Sequence, residues 1–263
     1  MQCNQFFLYI LFLLFLYSQE ISSQQNRLWS RGKMDRNNYF SGTSPPKPSK
    51  NILVLGETGS GKSTFINTMT NYLRNGGLKN LKVAIPTSQL QATEGFRNSE
   101  ELLQNSYFQT IDCNSYSFER ESGNISFIDT PGFVGDGDGD QDATTMQKIL
   151  SFTKKERDLA GVLLVINGTQ NHLTPSLENT MGKLRENLPK DVAENLIVVL
   201  SNCEKRTSPF SRSTLARIAP NLQKADVFYM NNTALVLTRN GKSVSTNARS
   251  EERRVGKECR SRW

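Results

Sequence analysis

The chain has 263 residues, enough for one α/β domain with a buried core. Its formal net charge of +7 invites a polyanionic partner, but residues 1–33 carry +2, residues 249–263 carry +3, and the long stretch 34–248 only +2. So near neutrality, that stretch has no basic footprint for DNA or RNA, and no nucleic-acid partner is expected. Four cysteines and one histidine are scattered without a CxxC pair or a His beside them, which excludes a zinc module and a disulfide framework and points to a reducing compartment.

Residues 1–33 open with "FFLYILFLLFLY", Phe6 to Tyr17, a continuous apolar run shorter than the about 20 residues a membrane span needs. No Lys or Arg precedes it. A signal peptide, a short anchor and a start codon placed upstream of the native one at Met34 remain open as readings. Cytoplasmic placement is expected; membrane association or secretory entry follows only if Phe6–Tyr17 is a genuine leader or anchor. Residues 34–50 include the Pro/Ser linker "SGTSPPKPSK".

A domain is expected over 51–248. "NILVL" (Asn51–Leu55) reads as a buried parallel strand, and "KSTFINTMTNYLRN" as a helix with Phe65, Ile66, Met69, Tyr72 and Leu73 on its apolar side. Residues 76–110 read as a long polar loop with a short strand or helix. "NSYSF" and "ISFID" read as a hairpin around Glu121–Gly123, and "GDGDGDQD" as a flexible loop. Helix is expected over "TTMQKILSFTKKERDL", strand over "AGVLLVING", helix over "SLENTMGKLRENLP", strand over "NLIVVLSN" and helix over "RSTLARIAPNLQ". "DVFYMNNTALV" opens with a strand. Strands alternating with helices imply right-handed crossovers and a mostly parallel sheet. The last fifteen residues, 249–263, resemble a translated sequencing-library adapter and are read as an artefact, with a basic disordered tail as the alternative; on the first reading the domain is truncated at its C-terminus.

Two motifs carry the chemistry. "GETGSGKS", Gly56 to Ser63, fits G-x-x-x-x-G-K-[ST] between an expected strand and helix. Gly56, Gly59 and Gly61 let successive N–H groups turn inward around phosphate oxygens, and Glu57, Thr58, Ser60 and Thr64 complete the loop and its exit. The helix N-terminus adds positive potential. Lys62 reaches the β- and γ-phosphates, and the Ser63 hydroxyl can ligate Mg²⁺. "IDTPG", Ile128 to Gly132, closes the hairpin: Asp129 would face the metal through water, and the Gly132 N–H would meet a γ-phosphate. The Asp-rich loop after it is not an EF-hand, because counting from Asp136 the twelfth position is Gln147 instead of Glu.

On these motifs the chain resembles the translation-factor-like P-loop GTPases, and within them the AIG1/GIMAP-like and septin-like G domains, over Asn51 to Ala234. The resemblance implies a three-layer α/β P-loop NTPase fold, a mostly parallel sheet flanked by helices, with GTP/GDP and Mg²⁺ as cofactors. "QTIDCNSYSF" resembles the segment leading to the switch I threonine, which makes Thr110 the candidate for Mg²⁺ and γ-phosphate, with Thr87 and Thr93 as competitors. Lys62 and Thr110 are then the candidate catalytic residues, and Ser63, Thr110 and Asp129 the metal set. His172 stands where these proteins often carry Arg, either as a surface residue or at a dimer contact. A homodimer or oligomer through the nucleotide face is also implied.

Two departures matter. Ras-like members place a Gln after D-x-x-G to orient the attacking water; here that place is Phe133, which cannot do so by hydrogen bonding, and very weak monomer turnover is expected. Where GTPases carry Asn-Lys-x-Asp, this chain has Ser201, Asn202, Cys203 and Glu204. Glu204 keeps a carboxylate for guanine N1 and N2, one methylene longer, while Asn202 loses the lysine stem over the base. "FYMNNTA" resembles a base-contacting segment, with Asn232 favoured over Asn231; an Asn-rich turn is the other reading. Guanine preference with weakened selectivity is expected. A Mg²⁺-dependent GTP-binding switch with slow hydrolysis, a nucleotide-stabilised oligomeric scaffold and a P-loop ATPase are the competing functions.

Overall fold

The computed structural model describes residues 49–77, 80–87, 90–96, 110–120, 123–134, 139–156, 159–204, 208–218 and 227–231. The elements are β1 (Ser49–Leu55), α1 (Lys62–Leu73), β2 (Asn114–Arg120), β3 (Gly123–Asp129), α2 (Gly139–Thr153), β4 (Leu159–Asn167), α3 (Pro175–Asn187), α4 (Lys190–Glu194), β5 (Leu196–Ser201), α5 (Arg212–Ala216) and β6 (Val227–Met230). The six strands form one sheet in the order β2-β3-β1-β4-β5-β6. β2 is antiparallel to β3, and the other pairings are parallel. This is the expected mostly parallel α/β sheet.

Burial explains the strand sequences. β1 is buried from Lys50 to Leu55, and all of β5 is buried, so their unbroken aliphatic runs are covered on both faces. β2 alternates instead: Tyr116 and Phe118 point inward, while Ser115, Ser117 and Glu119 face solvent, as at a sheet edge. Alternate residues feed two core clusters. One joins Leu53, Leu55, Ile128, Leu164 and Leu200 to Met146 and Ile149 of α2, to Leu177, Met181 and Leu184 of α3, and to Leu215 of α5. The other joins Ile52, Val54, Phe127, Val165 and Val199 to Phe65, Ile66 and Met69 of α1. Three layers follow: helix, sheet, helix.

The structure corrects several boundaries. α2 starts at Gly139, so Gly139–Asp142 is helical and not part of a flexible loop. The Gly/Asp alternation hides this start, although Asp140 and Asp142 suit the positive end of a helix. α2 ends at Thr153, well before Leu159, which opens β4. α3 begins at Pro175 with Thr174 as its N-cap, a residue ahead of the expected start at Ser176. The short α4 was not expected. In the described parts of 76–110 no helix or strand forms, only a bridge between Gly77 and Asn80. Among the described residues no helix is long and apolar enough to cross a membrane. The leader 1–33, most of the 34–50 linker, the tail 249–263 and Asn232 lie outside the described residues.

Candidate functional site

The site gathers at the C-terminal ends of β1, β3, β4 and β5, where parallel α/β sheets present their loops. The chain leaves β1 at Gly56, whose φ of 151° and close approach to the Val165 carbonyl leave no room for a side chain. It enters α1 through Gly61 at φ 100°, with Ser201 of β5 3.3 Å from where a Cβ would stand. Lys62 is buried in the first turn, and its Nζ donates to the carbonyls of Gly56 at 3.1 Å and Glu57 at 3.0 Å. Burial pulls its pKa down to about 8, opposed by the charges of Asp129 and Glu57. Ser63 follows it, half-buried. Thr58 and Gly59 are exposed at the tip, while Ser60 is buried.

Asp129 ends β3 fully buried. Burial pushes its carboxyl up to about 6, against the stabilising charge of Lys62 and hydrogen bonds from Thr110 and the Thr130 backbone. Thr110 Oγ1 donates to Asp129 Oδ2 at 3.0 Å. The other oxygen, Oδ1, is buried and has no hydrogen-bond partner. An orphaned carboxylate oxygen beside a lysine ammonium and a threonine hydroxyl fits a hydrated divalent cation. The competing threonines are engaged elsewhere. Thr87 Oγ1 accepts from Leu90 N at 3.1 Å, and Thr93 Oγ1 accepts from Val83 N at 2.9 Å.

The D-x-x-G segment lies against the phosphate loop. A Cβ on Gly132 would stand 2.6 Å from Thr58 N, so a larger residue would displace one of the two loops. Thr58 N donates to Phe133 O at 2.8 Å, and Phe133 N to Gly56 O at 3.3 Å. The Phe133 side chain is fully buried in the core beside Leu55 and Ile128. Buried there, it presents no hydrogen-bonding group to solvent.

On the base side, the Ser201 hydroxyl donates to Ser60 O at 2.5 Å and so ties the β5 loop to the phosphate loop. Asn202 is exposed in the left-handed region, at φ 54°. Cys203 is buried against Gly168, and Glu204 is exposed with its carbonyl accepting from Ser208 N at 3.0 Å. Asn231 is exposed after β6, and Asn232 lies outside the described residues. His172 is exposed, with Nδ1 2.6 Å from Asn171 Oδ1.

Sequence reasoning missed three supports of this site. The Glu57 carboxylate accepts from the Thr174 hydroxyl, the N-cap of α3. Asp142 of α2 accepts both from Val134 N, at 2.8 Å, and from the Ser176 hydroxyl. Lys148 of α2 reaches the segment just after Thr110. The Thr-Pro pair at 174–175 is a readable cap signature; the other two depend on tertiary placement alone.

A family model described as 50S ribosome-binding GTPase matches residues 51–202. No curated protein matches the chain. Among solved structures, a dimerisation-deficient mutant of Toc33 from Arabidopsis thaliana is 18% identical over 74% of this chain and 79% of that one, with a TM-score of 0.49. Toc33 from the same plant in complex with Mg²⁺ and GMPPNP is also 18% identical, with 75% and 80% covered and a TM-score of 0.49. Its complex with GDP and Mg²⁺ is 16% identical, with 74% and 78% covered and a TM-score of 0.47.

Proposed function

The chain belongs to the 50S ribosome-binding GTPase family, and from that premise we propose that its G domain is a Mg²⁺-dependent guanine-nucleotide switch that hydrolyses GTP slowly. The observation that carries the proposal is the Lys62–Asp129–Thr110 constellation under the phosphate loop, with one Asp129 oxygen left unpartnered in the protein interior. On this reading the N–H groups of Gly56 to Thr64 and the Lys62 ammonium cradle the phosphates. Ser63, Thr110 and Asp129 would hold Mg²⁺, which when bound spreads the charge of the β- and γ-phosphates. On the same reading the Gly132 N–H would sense a third phosphate. Lys62 now spends its donors on two backbone carbonyls; a bound phosphate would take one over and favour the charged ammonium.

For base reading we assign Glu204 the carboxylate role, with Asn202 and Asn232 as further candidate base contacts. The longer Glu204 stem and the missing lysine stem support guanine preference of reduced strength. The net charge of +2 over 34–248 gives no argument for RNA, so the proposal is confined to the nucleotide. The AIG1/GIMAP-like and septin-like subclass, placement in the cytoplasm and the domain limits 34–50 and 51–248 belong to this proposal as well.

The decisive experiment titrates labelled GDP, GTP and ATP against the full chain with Mg²⁺, with Lys62→Ala as control. Guanine favoured by about tenfold or more, a difference of about 1.4 kcal/mol, is the expected result. Equal or adenine-favoured binding would overturn the guanine assignment and favour a P-loop ATPase.

A second reading has its own support. With Phe133 in the core, the residue after D-x-x-G offers no side chain to the hydrolytic water, so turnover depends on a group from elsewhere or is incidental to assembly. Size-exclusion with GDP against a non-hydrolysable GTP analogue separates the two. A shift to dimer accompanied by faster turnover supports activation across the nucleotide face. A shift without turnover supports a scaffold.

A further inference from the structure

We propose that Lys148 is a positioning residue for the triphosphate state: from α2 it fixes the Ile111–Asp112 segment and so keeps the Thr110 hydroxyl on Asp129, a role that rests on the reading of Thr110 and Asp129 as Mg²⁺ groups. Lys148 Nζ donates to Ile111 O at 2.9 Å and pairs with Asp112 Oδ1 at 3.0 Å. These are the two residues that follow Thr110, whose hydroxyl reaches Asp129 Oδ2 at 3.0 Å. One ammonium therefore holds both a carbonyl and a carboxylate of the segment that leads into β2. A lysine suits this task, since it is a compact charge with three donors on a long stem.

The anchor end is firm. Met146 and Ile149, on either side of Lys148, are buried in the core cluster, at 5% and 0% exposure. Asp142, at the start of the same helix, takes the Val134 N–H at 2.8 Å and the Ser176 hydroxyl. α2 thus grips the segment after Gly132 with Asp142 and the segment after Thr110 with Lys148. The two sensor segments are tied through one helix whose core contacts keep it in place. Nucleotide diphosphate needs neither sensor, so a loose Thr110 segment costs only the triphosphate state.

The pair is half in water, with Lys148 40% and Asp112 61% exposed, so its effect is modest and screened by salt. In the full chain with Mg²⁺, Lys148→Ala should weaken a non-hydrolysable GTP analogue about three- to fivefold and leave GDP within about twofold. Thr110→Ala should shift the same ratio, and the double variant should be no weaker than Thr110→Ala alone, because both remove one coupled contact. Lys148→Arg should recover part of the loss, and the gap between wild type and Lys148→Ala should shrink at high salt. If Thr110→Ala changes the ratio and Lys148→Ala does not, or if Lys148→Ala weakens both nucleotides equally, the positioning role is overturned while the site reading stands. If Thr110→Ala leaves the ratio unchanged, the reading of Thr110 fails and the role of Lys148 falls with it.

Discussion

Phe133, the residue after D-x-x-G, is fully buried, and its backbone bonds to the phosphate loop. Its position after D-x-x-G says that no amide is offered to water there. The sequence does not say where the ring goes. The ring fills the core beside Leu55 and Ile128, while its backbone is pinned to Gly56 and Thr58. Restoring a Gln would therefore not restore a water-orienting group. Phe133→Gln should lose about 3 kcal/mol of stability in urea denaturation, because a buried ring is replaced by an amide without a partner. Single-turnover GTP hydrolysis should not rise. A clear rate gain at unchanged stability would mean that this side chain leaves the core when nucleotide binds. Cys113, between Thr110 and β2, is partly buried. Burial, reinforced by Asp129 and Asp112 and eased by Lys148, pushes its thiol up to about 12, so it is a poor nucleophile.

At the scale of elements, α1 does more than carry the phosphate loop. Asn67 is 3% exposed, and its side chain spans to a passing loop: Nδ2 donates to Ile85 O at 2.8 Å, and Oδ1 accepts from Ala84 N and Ile85 N, each at 2.9 Å. One turn on, Asn71 does the same for Lys82, with Nδ2 to its carbonyl at 2.6 Å and Oδ1 from its N–H at 2.9 Å. Asn67→Ala would leave three buried backbone groups unpartnered, a cost of about 2–4 kcal/mol. It should lower the denaturation midpoint and speed amide exchange at Ala84 and Ile85; unchanged exchange there would show that this loop is held by other contacts. The helical spacing of Phe65, Ile66 and Met69 was legible in the sequence, as were β1, β4, β5 and the hairpin, because each is long, apolar and strictly patterned. The Asn67–Asn71 ladder was not legible. Two asparagines four apart read as a wet helix face unless one knows that a loop without any period of its own lies across them. The start of α2 at Gly139 was hidden for a related reason, since Gly and Asp are loop formers by composition and become helical here at a first turn where Asp142 has Val134 and Ser176 to bind.

At the scale of the whole molecule, the nucleotide site belongs to no single element. Gly56 follows β1, Asp129 ends β3, Gly168 follows β4 and Ser201 ends β5, while α2 and α3 reach in through Asp142, Lys148 and Thr174. Cross-links already run between these parts: Ser201 to Ser60, Thr130 Oγ1 to Val54 O at 2.8 Å, and Thr58 to Phe133. A ligand bridging them acts on the full sheet and both core clusters, so its binding energy should appear as global stability, not as local ordering. At a hundredfold excess over its dissociation constant, a ligand specific for the native state adds about 2.7 kcal/mol. For a domain of this size that is about 5–10 °C in thermal midpoint. Mg²⁺ with GDP or a GTP analogue should produce this shift in one transition, adenine nucleotides at equal concentration a smaller one, and Lys62→Ala should abolish it. Two separate transitions, with only one moved by nucleotide, would instead mean that the phosphate loop and the base side of the sheet unfold independently, and that the hydroxyl of Ser201 does not couple them.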